Sequence, residues 1–166
     1  GSNGDNPHSS LIYDAAGNLY GTSANGSTYG GGMVFKLDVS TGTLTTLAAL
    51  ANITGYSQQA GLIADAAGNL YGTTCYGGDN NDGTVFKLDA ATGTLTELAS
   101  FDGTNGKNPQ AGLIADAMGN LYGTTVGGGT HDFGTVFKLD PSIGVITTLA
   151  SFDGSDGEIG RASCRE

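Results

Sequence analysis

The sequence predicts an all-β chain of three four-stranded antiparallel blades packed as an open arc of a β-propeller, and three observations carry that prediction. The stretch LIADAAGNLYGTT at 62–74 is written almost unchanged at 11–23 and at 113–125, a period of 51 residues without an insertion or deletion. Self-similarity at a period of tens of residues marks stacked structural units. Within each copy, short apolar runs are bounded by Gly, Asn and Asp, as strands and tight turns require. Apolar residues also occupy both alternations of the strands, so each sheet has two oily faces and needs cover on both.

The second copy gives the elements in order. GLIAD at 61–65 is a short apolar run and reads as a buried strand. DAAGN follows as a hairpin, Asp65 bonding backbone amides two residues on and Gly68 taking positive φ. NLYGTT is the return strand, and Gly72 inside it, like Gly21 and Gly123, predicts space for a side chain of a neighbouring unit. A loop of variable content, CYGGDNND, leads to the strand GTVFKLD, with Phe86 and Leu88 on one face and Val85 on the other. A turn through Gly93 leads to TLTELASF, whose Thr content and flanking Gly favour a strand over a short helix. FDGTNGKNPQAG then passes the chain to the next copy. The expected blades are about 1–50, 51–101 and 102–157, forming a single incomplete propeller. The alternative, a β-solenoid, uses rungs that are usually shorter than this period.

The bulk composition narrows the partners. The chain has 30 Gly, no Trp and a net charge of −10. Such an acidic surface repels phosphate backbones and anionic lipid, which excludes nucleic acid and a membrane surface as partners. No apolar run approaches the ~18 residues of a transmembrane helix, so membrane insertion is not expected. Cys75 stands where the other copies have Ala24 and Val126 and reads as a small apolar filler. The tail at 158–166, EIGRASCRE, breaks the third copy, holds both Arg residues and resembles translated sequencing adapter. It is expected to be non-native. The opening GSNGDNP matches the inter-repeat segment at 102–109, so the parent protein is expected to extend upstream.

The succession DAAGNLYGTT, GTVFKLD and TGTLTxLASFDG resembles the bacterial GloVer-type tandem repeat, and its first half is similar to the repeating unit of NHL-type propeller blades. The resemblance covers 1–157. It implies a propeller and a large, exported, secreted or cell-surface parent protein. It implies no activity, because the family has no catalytic residues to carry over.

Asp14, Asp65 and Asp116, with Gly17, Gly68 and Gly119, read as structural turn residues, although the three Asp could also form a carboxylate ring. Leu19, Tyr20, Phe35, Leu70, Tyr71, Phe86, Leu121, Tyr122 and Phe137 read as the repeated core. Lys36, Lys87 and Lys138 read as stems covering apolar neighbours. Residues that break the repeat are where chemistry would lie: Asp5, His8, Asp79, Asp82, Glu97, His131 and Asp132. His8, before the first strand, and His131, in the loop between second and third strands, are expected on different rims and do not form a pair. Asp79, Asp82, His131 and Asp132 are weak ligand candidates. GGDNNDG at 77–83 clusters oxygens as calcium sites do, but it lacks their spacing and their bidentate Glu, so no cofactor is expected, with calcium the alternative.

Three functions remain. The first is a non-catalytic scaffold or interaction segment of an exported protein, since constant positions are turns and core while variation sits in loops. The second is part of a propeller hydrolase or lyase whose active site lies on other blades. The third is a carbohydrate-binding propeller using the three Tyr rings. The expected partners are further blades of the parent, a protein or glycan ligand, and other copies of this chain. Three blades cannot close a ring of four to eight, so the end faces stay bare and self-association is expected, with a six-bladed dimer one form of it.

Overall fold

A computed structural model describes residues 4–7, 9–26, 31–50 and 60–155. The tail at 158–166 and His8 lie outside these residues. The described residues contain twelve strands and no helix. Blade 1 is β1 (Ile12–Tyr13), β2 (Leu19–Ser23), β3 (Met33–Asp38) and β4 (Thr43–Ala49). Blade 2 is β5 (Ile63–Ala64), β6 (Leu70–Thr74), β7 (Thr84–Leu88) and β8 (Leu95–Ser100). Blade 3 is β9 (Ile114–Ala115), β10 (Leu121–Thr124), β11 (Thr135–Asp140) and β12 (Val145–Ser151). Each blade is an antiparallel meander with its strands in chain order. The segment read as a helix or strand, 94–101, contains β8, and the four-stranded sheets are blades rather than solenoid rungs. The first strand is shorter than expected. Only Ile63 and Ala64 of GLIAD pair with β6, although Leu62 just before them is buried.

The register repeats with the sequence. Tyr20 pairs with Lys36 and Gly21 with Phe35, and the second and third blades repeat the pairs as Tyr71–Lys87, Gly72–Phe86, Tyr122–Lys138 and Gly123–Phe137. A bulge falls at the same place in each blade, between Val34 and Phe35, Val85 and Phe86, and Val136 and Phe137. It absorbs the extra residue of the fourth strand.

The glycine in the return strand does make room, but for its own blade. A Cβ on Gly123 would lie 2.7 Å from Cζ of Phe137, its cross-strand partner, and 3.1 Å from Cδ2 of Leu113. Gly21 has the same relation to Phe35 and Leu11. The expectation of a neighbouring unit's side chain is therefore corrected, because the Phe lies flat along its own sheet and fills the notch from within.

Each blade has a leading face, turned toward the preceding blade, and a trailing face, turned toward the next. The first core joins the trailing face of blade 1 (Ile12, Tyr20, Val34, Leu47, Ala48, Leu50) to the leading face of blade 2 (Leu62, Leu70, Phe86, Leu88, Leu95). The second joins Ile63, Tyr71, Val85, Leu98, Ala99 and Phe101 to Leu113, Leu121, Phe137, Leu139 and Ile146. The two lists are one list shifted by a repeat. Phe101 meets Phe137 edge to face across the second junction, with centroids 5.0 Å apart and planes at 76°. Burial of a Leu or Phe contributes about 1.5–3 kcal/mol, so these junctions hold the arc together. Phe86 and Phe137 are fully buried, whereas Phe35 and Leu19, on the leading face of the first blade, are only half-buried.

Candidate functional site

A meander of four strands returns the chain to its starting rim. The two hairpin turns of each blade therefore share one rim, and the loop between second and third strands shares the other with the inter-blade connection. Hydrogen bonds confirm both. On the hairpin rim, the Ala90 amide donates to Oδ1 of Asn69 at 3.0 Å. On the opposite rim, Lys107 bridges Gly127 and Asp5 bridges Asn25. The expectation that the loop before the first strand and the loop carrying His131 emerge on different rims is corrected by these bridges.

The hairpin rim carries the repeated Asp, Asn and Tyr. Oδ1 of Asp65 accepts the amides of Ala67 and Asn69, both at 2.9 Å, and Oδ2 accepts Nδ2 of Asn69 at 2.8 Å and the Tyr71 hydroxyl at 3.0 Å. Asp14 and Asp116 repeat the same four bonds, to Ala16, Asn18 and Tyr20 and to Met118, Asn120 and Tyr122. The fourth residue of each turn is Gly at positive φ, 81° at Gly17, 84° at Gly68 and 85° at Gly119, the region where side chains are strained. The bonds from Asn18 and Asn120 lead in holding Asp14 and Asp116 down at about 2. At Asp65 burial works the other way, yet the bonds from Asn69 and Tyr71 prevail and its carboxyl is lowered. Burial, then the hydrogen bond to Asp65, pushes the Tyr71 hydroxyl up to about 12. Each carboxylate is thus saturated by donors of its own repeat, and none projects into a shared ring.

The second turn of each blade uses its Asp in the same manner. Oδ1 of Asp89 accepts the amides of Ala91 and Thr92 and the Thr92 hydroxyl, and Asp38 and Asp140 do likewise with Ser40 and Ser142. Nζ of Lys87 lies 3.5 Å from Oδ2 of Asp89. Nζ of Lys36 lies 5.7 Å from the Tyr20 ring centroid, within cation–π range.

Between the blades this rim is indented. A cavity of about 230 Å³ opens beside Tyr20 and Lys36 of blade 1 and Gly68, Asp89 and Ala90 of blade 2. Its counterpart one repeat on, about 490 Å³, lies beside Tyr71 of blade 2 and Gly119, Asn120, Asp140 and Pro141 of blade 3. An aromatic ring on one wall and turn carboxylates and amides on the other make a small amphipathic cleft. The Tyr rings expected in the core are half-buried, Tyr20 and Tyr71 packed against the junction cores and all three bonded at the hydroxyl on the rim.

The weak ligand candidates lie on the opposite rim. Asp132, at φ 63°, is engaged by Nζ of Lys107 at 2.7 Å and by the amide of Gly128 at 2.7 Å. Lys107 is the first cause of its lowered carboxyl. Asp82 offers its backbone carbonyl to the Asn108 amide at 2.7 Å. The Asp79 amide donates to the Ser100 hydroxyl, and His131 is exposed. Among the described residues no three His, Cys, Asp or Glu side chains converge as a metal site. Cys75 is buried with its thiol 3.2 Å from the Pro109 carbonyl, and burial pushes it up to about 11.

Three blades with repeated hairpin turns and shared apolar junctions define the architecture, and comparison with known proteins agrees with it. The chain belongs to the Gloeobacter/Verrucomicrobia repeat family. The match runs over residues 1–165. No curated protein matches the chain. Solved β-propeller proteins share its fold. TolB from Acinetobacter baumannii superposes with a TM-score of 0.58 at 17% identity, over 90% of this chain and 34% of its own. The nidogen/laminin complex gives 0.54 at 19%, over 81% of this chain and 44% of the other. A gluconolactonase from Xanthomonas campestris gives 0.52 at 20%, over 83% and 44%. The chain of this repeat protein therefore spans less than half of each, and the likeness is one of fold.

Two features escaped the reading of the sequence. The bond from the Tyr hydroxyl to Asp six residues earlier was signalled by the constant spacing D-x-x-G-N-x-Y in all three copies. The clefts had no signal within one repeat, because their walls come from adjacent blades.

Proposed function

We propose that this repeat protein is a non-catalytic scaffold and interaction segment of a large, exported bacterial protein. One observation carries the reading: the repeated carboxylates are occupied by hydrogen bonds inside their own turns. A general acid or base must be free to exchange a proton with substrate, and a metal ligand must converge with others. The residues that vary between copies are on loops, where binding surfaces reside. Export and a secreted or cell-surface location rest on the family's character. The test is an activity screen of the full-length parent against lactone, ester and glycoside substrates. No turnover is expected. Hydrolase or lyase activity abolished by His131→Ala or Asp132→Asn refutes the scaffold reading.

The recurring cleft favours a second reading, glycan binding, in which a sugar face rests on the Tyr ring and its hydroxyls meet the turn Asp and Asn groups. Binding on a glycan array that is lost with Tyr71→Ala, in a protein whose circular dichroism is unchanged, supports it. Unaltered binding, or none, removes it.

A further inference from the structure

We propose that the cleft between blades 1 and 2 binds a monocarboxylate carried on a compact apolar body. This goes beyond the glycan reading and separates the two clefts, which share a repeat position and differ in depth. Gly93, in the outer hairpin turn of blade 2, has open space beside it, and a Cβ there would meet nothing within 4 Å. One repeat on, a Cβ on Gly144 would lie 2.7 Å from the Leu98 carbonyl of the preceding blade. The outer turn of blade 3 is therefore seated on β8, while that of blade 2 stands off β4. The stand-off leaves Leu47, Leu70 and Leu88 as an apolar floor for the first cleft. The second cleft is lined instead by Tyr71, Asn120, Asp140 and Ser142, and Leu139, the counterpart of Leu88, is fully buried.

The polar groups of the first cleft decide the charge of its ligand. On the blade 2 wall, the Ala90 amide donates to Oδ1 of Asn69 and the Gly93 amide to the Asp89 carbonyl. The Asp89 carboxylate accepts the amides of Ala91 and Thr92 on one oxygen, and Nζ of Lys87 lies 3.5 Å from the other. This wall is satisfied within its own blade. On the blade 1 wall stands Lys36, with Nζ 5.7 Å from the Tyr20 ring centroid. Among the described residues no carboxylate comes within ion-pair distance of that Nζ. The uncompensated charge of the cleft is therefore positive, and it sits beside three Leu side chains. A cation above an apolar floor is complementary to an anion with an apolar body, whereas a hydroxyl-rich ligand would find the facing amides engaged. One ammonium in a chain of net charge −10 selects a single carboxylate over a polyanion. The volume, about 230 Å³, lies below that of drug-sized pockets and limits the body to a short aliphatic chain or one ring.

The experiment is an NMR titration of the full chain, following the amide shifts of Ala90 and Gly93, with hexanoate, hexanol, acetate and methyl glucoside as probes. Hexanoate should bind roughly fivefold tighter than hexanol, which has the body without the charge. It should bind at least roughly tenfold tighter than acetate, which has the charge without the body. Lys36→Met keeps the stem and removes the charge, so it should bring hexanoate to the level of hexanol. Ala90→Phe, at an exposed position on the mouth, should block both, and Lys138→Met, beside the second cleft, should leave hexanoate binding unchanged. Unchanged circular dichroism shows that each variant folds. A free acid and the last residue of a peptide offer the same chemistry, so N-acetylglycylleucine is titrated beside its amide. A free peptide that outbinds hexanoate makes a protein C-terminus the source, and a weaker one makes it a small acid. Shifts with methyl glucoside and none with hexanoate overturn the proposal and leave the glycan reading standing, whereas no shift with either removes both at this cleft. Equal affinity for hexanoate and hexanol, or full hexanoate binding in Lys36→Met, also overturns it.

Discussion

Thr73 allows the same substitution to be given opposite signs in two copies of one repeat. Its counterpart Thr22 is satisfied: the Thr22 hydroxyl bonds Oγ of Ser9 at 2.8 Å, and the Thr22 amide donates to the same oxygen at 3.3 Å. One repeat later Ser9 becomes Ala60, and Oγ1 of Thr73 is buried without a partner among the described residues. A buried hydroxyl left unpaired costs about 1–3 kcal/mol, while a typical internal hydrogen bond contributes about 0.5–1.5 kcal/mol. Thr73→Val keeps the shape and removes the unpaired oxygen, so it should stabilise by about 1 kcal/mol. Thr22→Val breaks the hydroxyl pair while Ser9 keeps the Thr22 amide and carbonyl, so it should destabilise by about 0.5–1.5 kcal/mol. Ala60→Ser restores the missing acceptor and should stabilise by about 0.5–1 kcal/mol, a gain that shrinks when Thr73→Val is added because the new serine then loses its side-chain partner. The assay is urea unfolding at fixed protein concentration, or thermal melting, where about 1 kcal/mol moves the midpoint of a chain this size by roughly 2–4 °C. If Thr73→Val destabilises as Thr22→Val does, the hydroxyl has a partner and the reasoning from Ser9 to Ala60 fails.

The turn carboxylates set the acid limit of the fold. Asp14 and Asp116 sit at about 2 in the folded chain against an ordinary value of 3.8. A lowered folded value means that their contribution is complete above pH 4 and is lost as pH falls toward 2; urea midpoints measured across that window should decline there and be level from pH 5 to 7. Tyr71 acts at the other end. Its folded value of about 12 lies above the ordinary 10.0, so its contribution is complete below pH 10 and fades as pH rises toward 12, which ultraviolet titration of tyrosinate alongside unfolding will register. Tyr71→Phe removes the hydroxyl bond to Asp65 and should cost about 1 kcal/mol while raising the Asp65 carboxyl in an NMR titration. Gly123→Ala drives a Cβ to 2.7 Å from the Phe137 ring and should cost about 1–3 kcal/mol by overpacking. Gly119→Ala meets nothing within 4 Å, so left-handed strain of about 1–2 kcal/mol is its only expected cost; equal melting points for Gly123→Ala and wild type would contradict the packed notch.

Much of the fold was legible because each repeat states its own local chemistry three times. Val85 and Phe86 stand on opposite alternations of one strand, and that alone requires a neighbour on each side. Asp65, Gly68 and Asn69 specify a turn by residue type. What was misread concerns relations between segments. Gly72 and Gly123 were read as leaving space for another unit, since a sequence does not say whether the side chain that fills a notch comes from the facing strand or the next sheet. Register decides it, and Phe137 opposite Gly123 is a fact of pairing. The rims of the inter-blade connection and of the loop carrying His131 are misjudged for a similar reason: strand parity, not loop class, determines where a connection emerges, and strands two and four end at the same side.

The same distinction bears on where function resides. Copying a repeat copies every bond that closes within it, so the Asp–Asn–Tyr turn is complete in all three blades and needs no ligand to satisfy it. Copying does not complete what depends on a neighbour. Thr73 lacks the serine that Thr22 has, Leu11 lacks the blade that covers Leu62, and each cleft exists only where two blades meet. Sites in such a protein accordingly belong to junctions, and their number grows with the number of junctions rather than with the number of blades. Three blades have two complete junctions, one cleft beside Tyr20 and one beside Tyr71. If the clefts bind a common ligand, calorimetry should find two sites per chain in the wild type and one in Tyr71→Ala. An unchanged stoichiometry in Tyr71→Ala would detach binding from the junctions and place it on the loops.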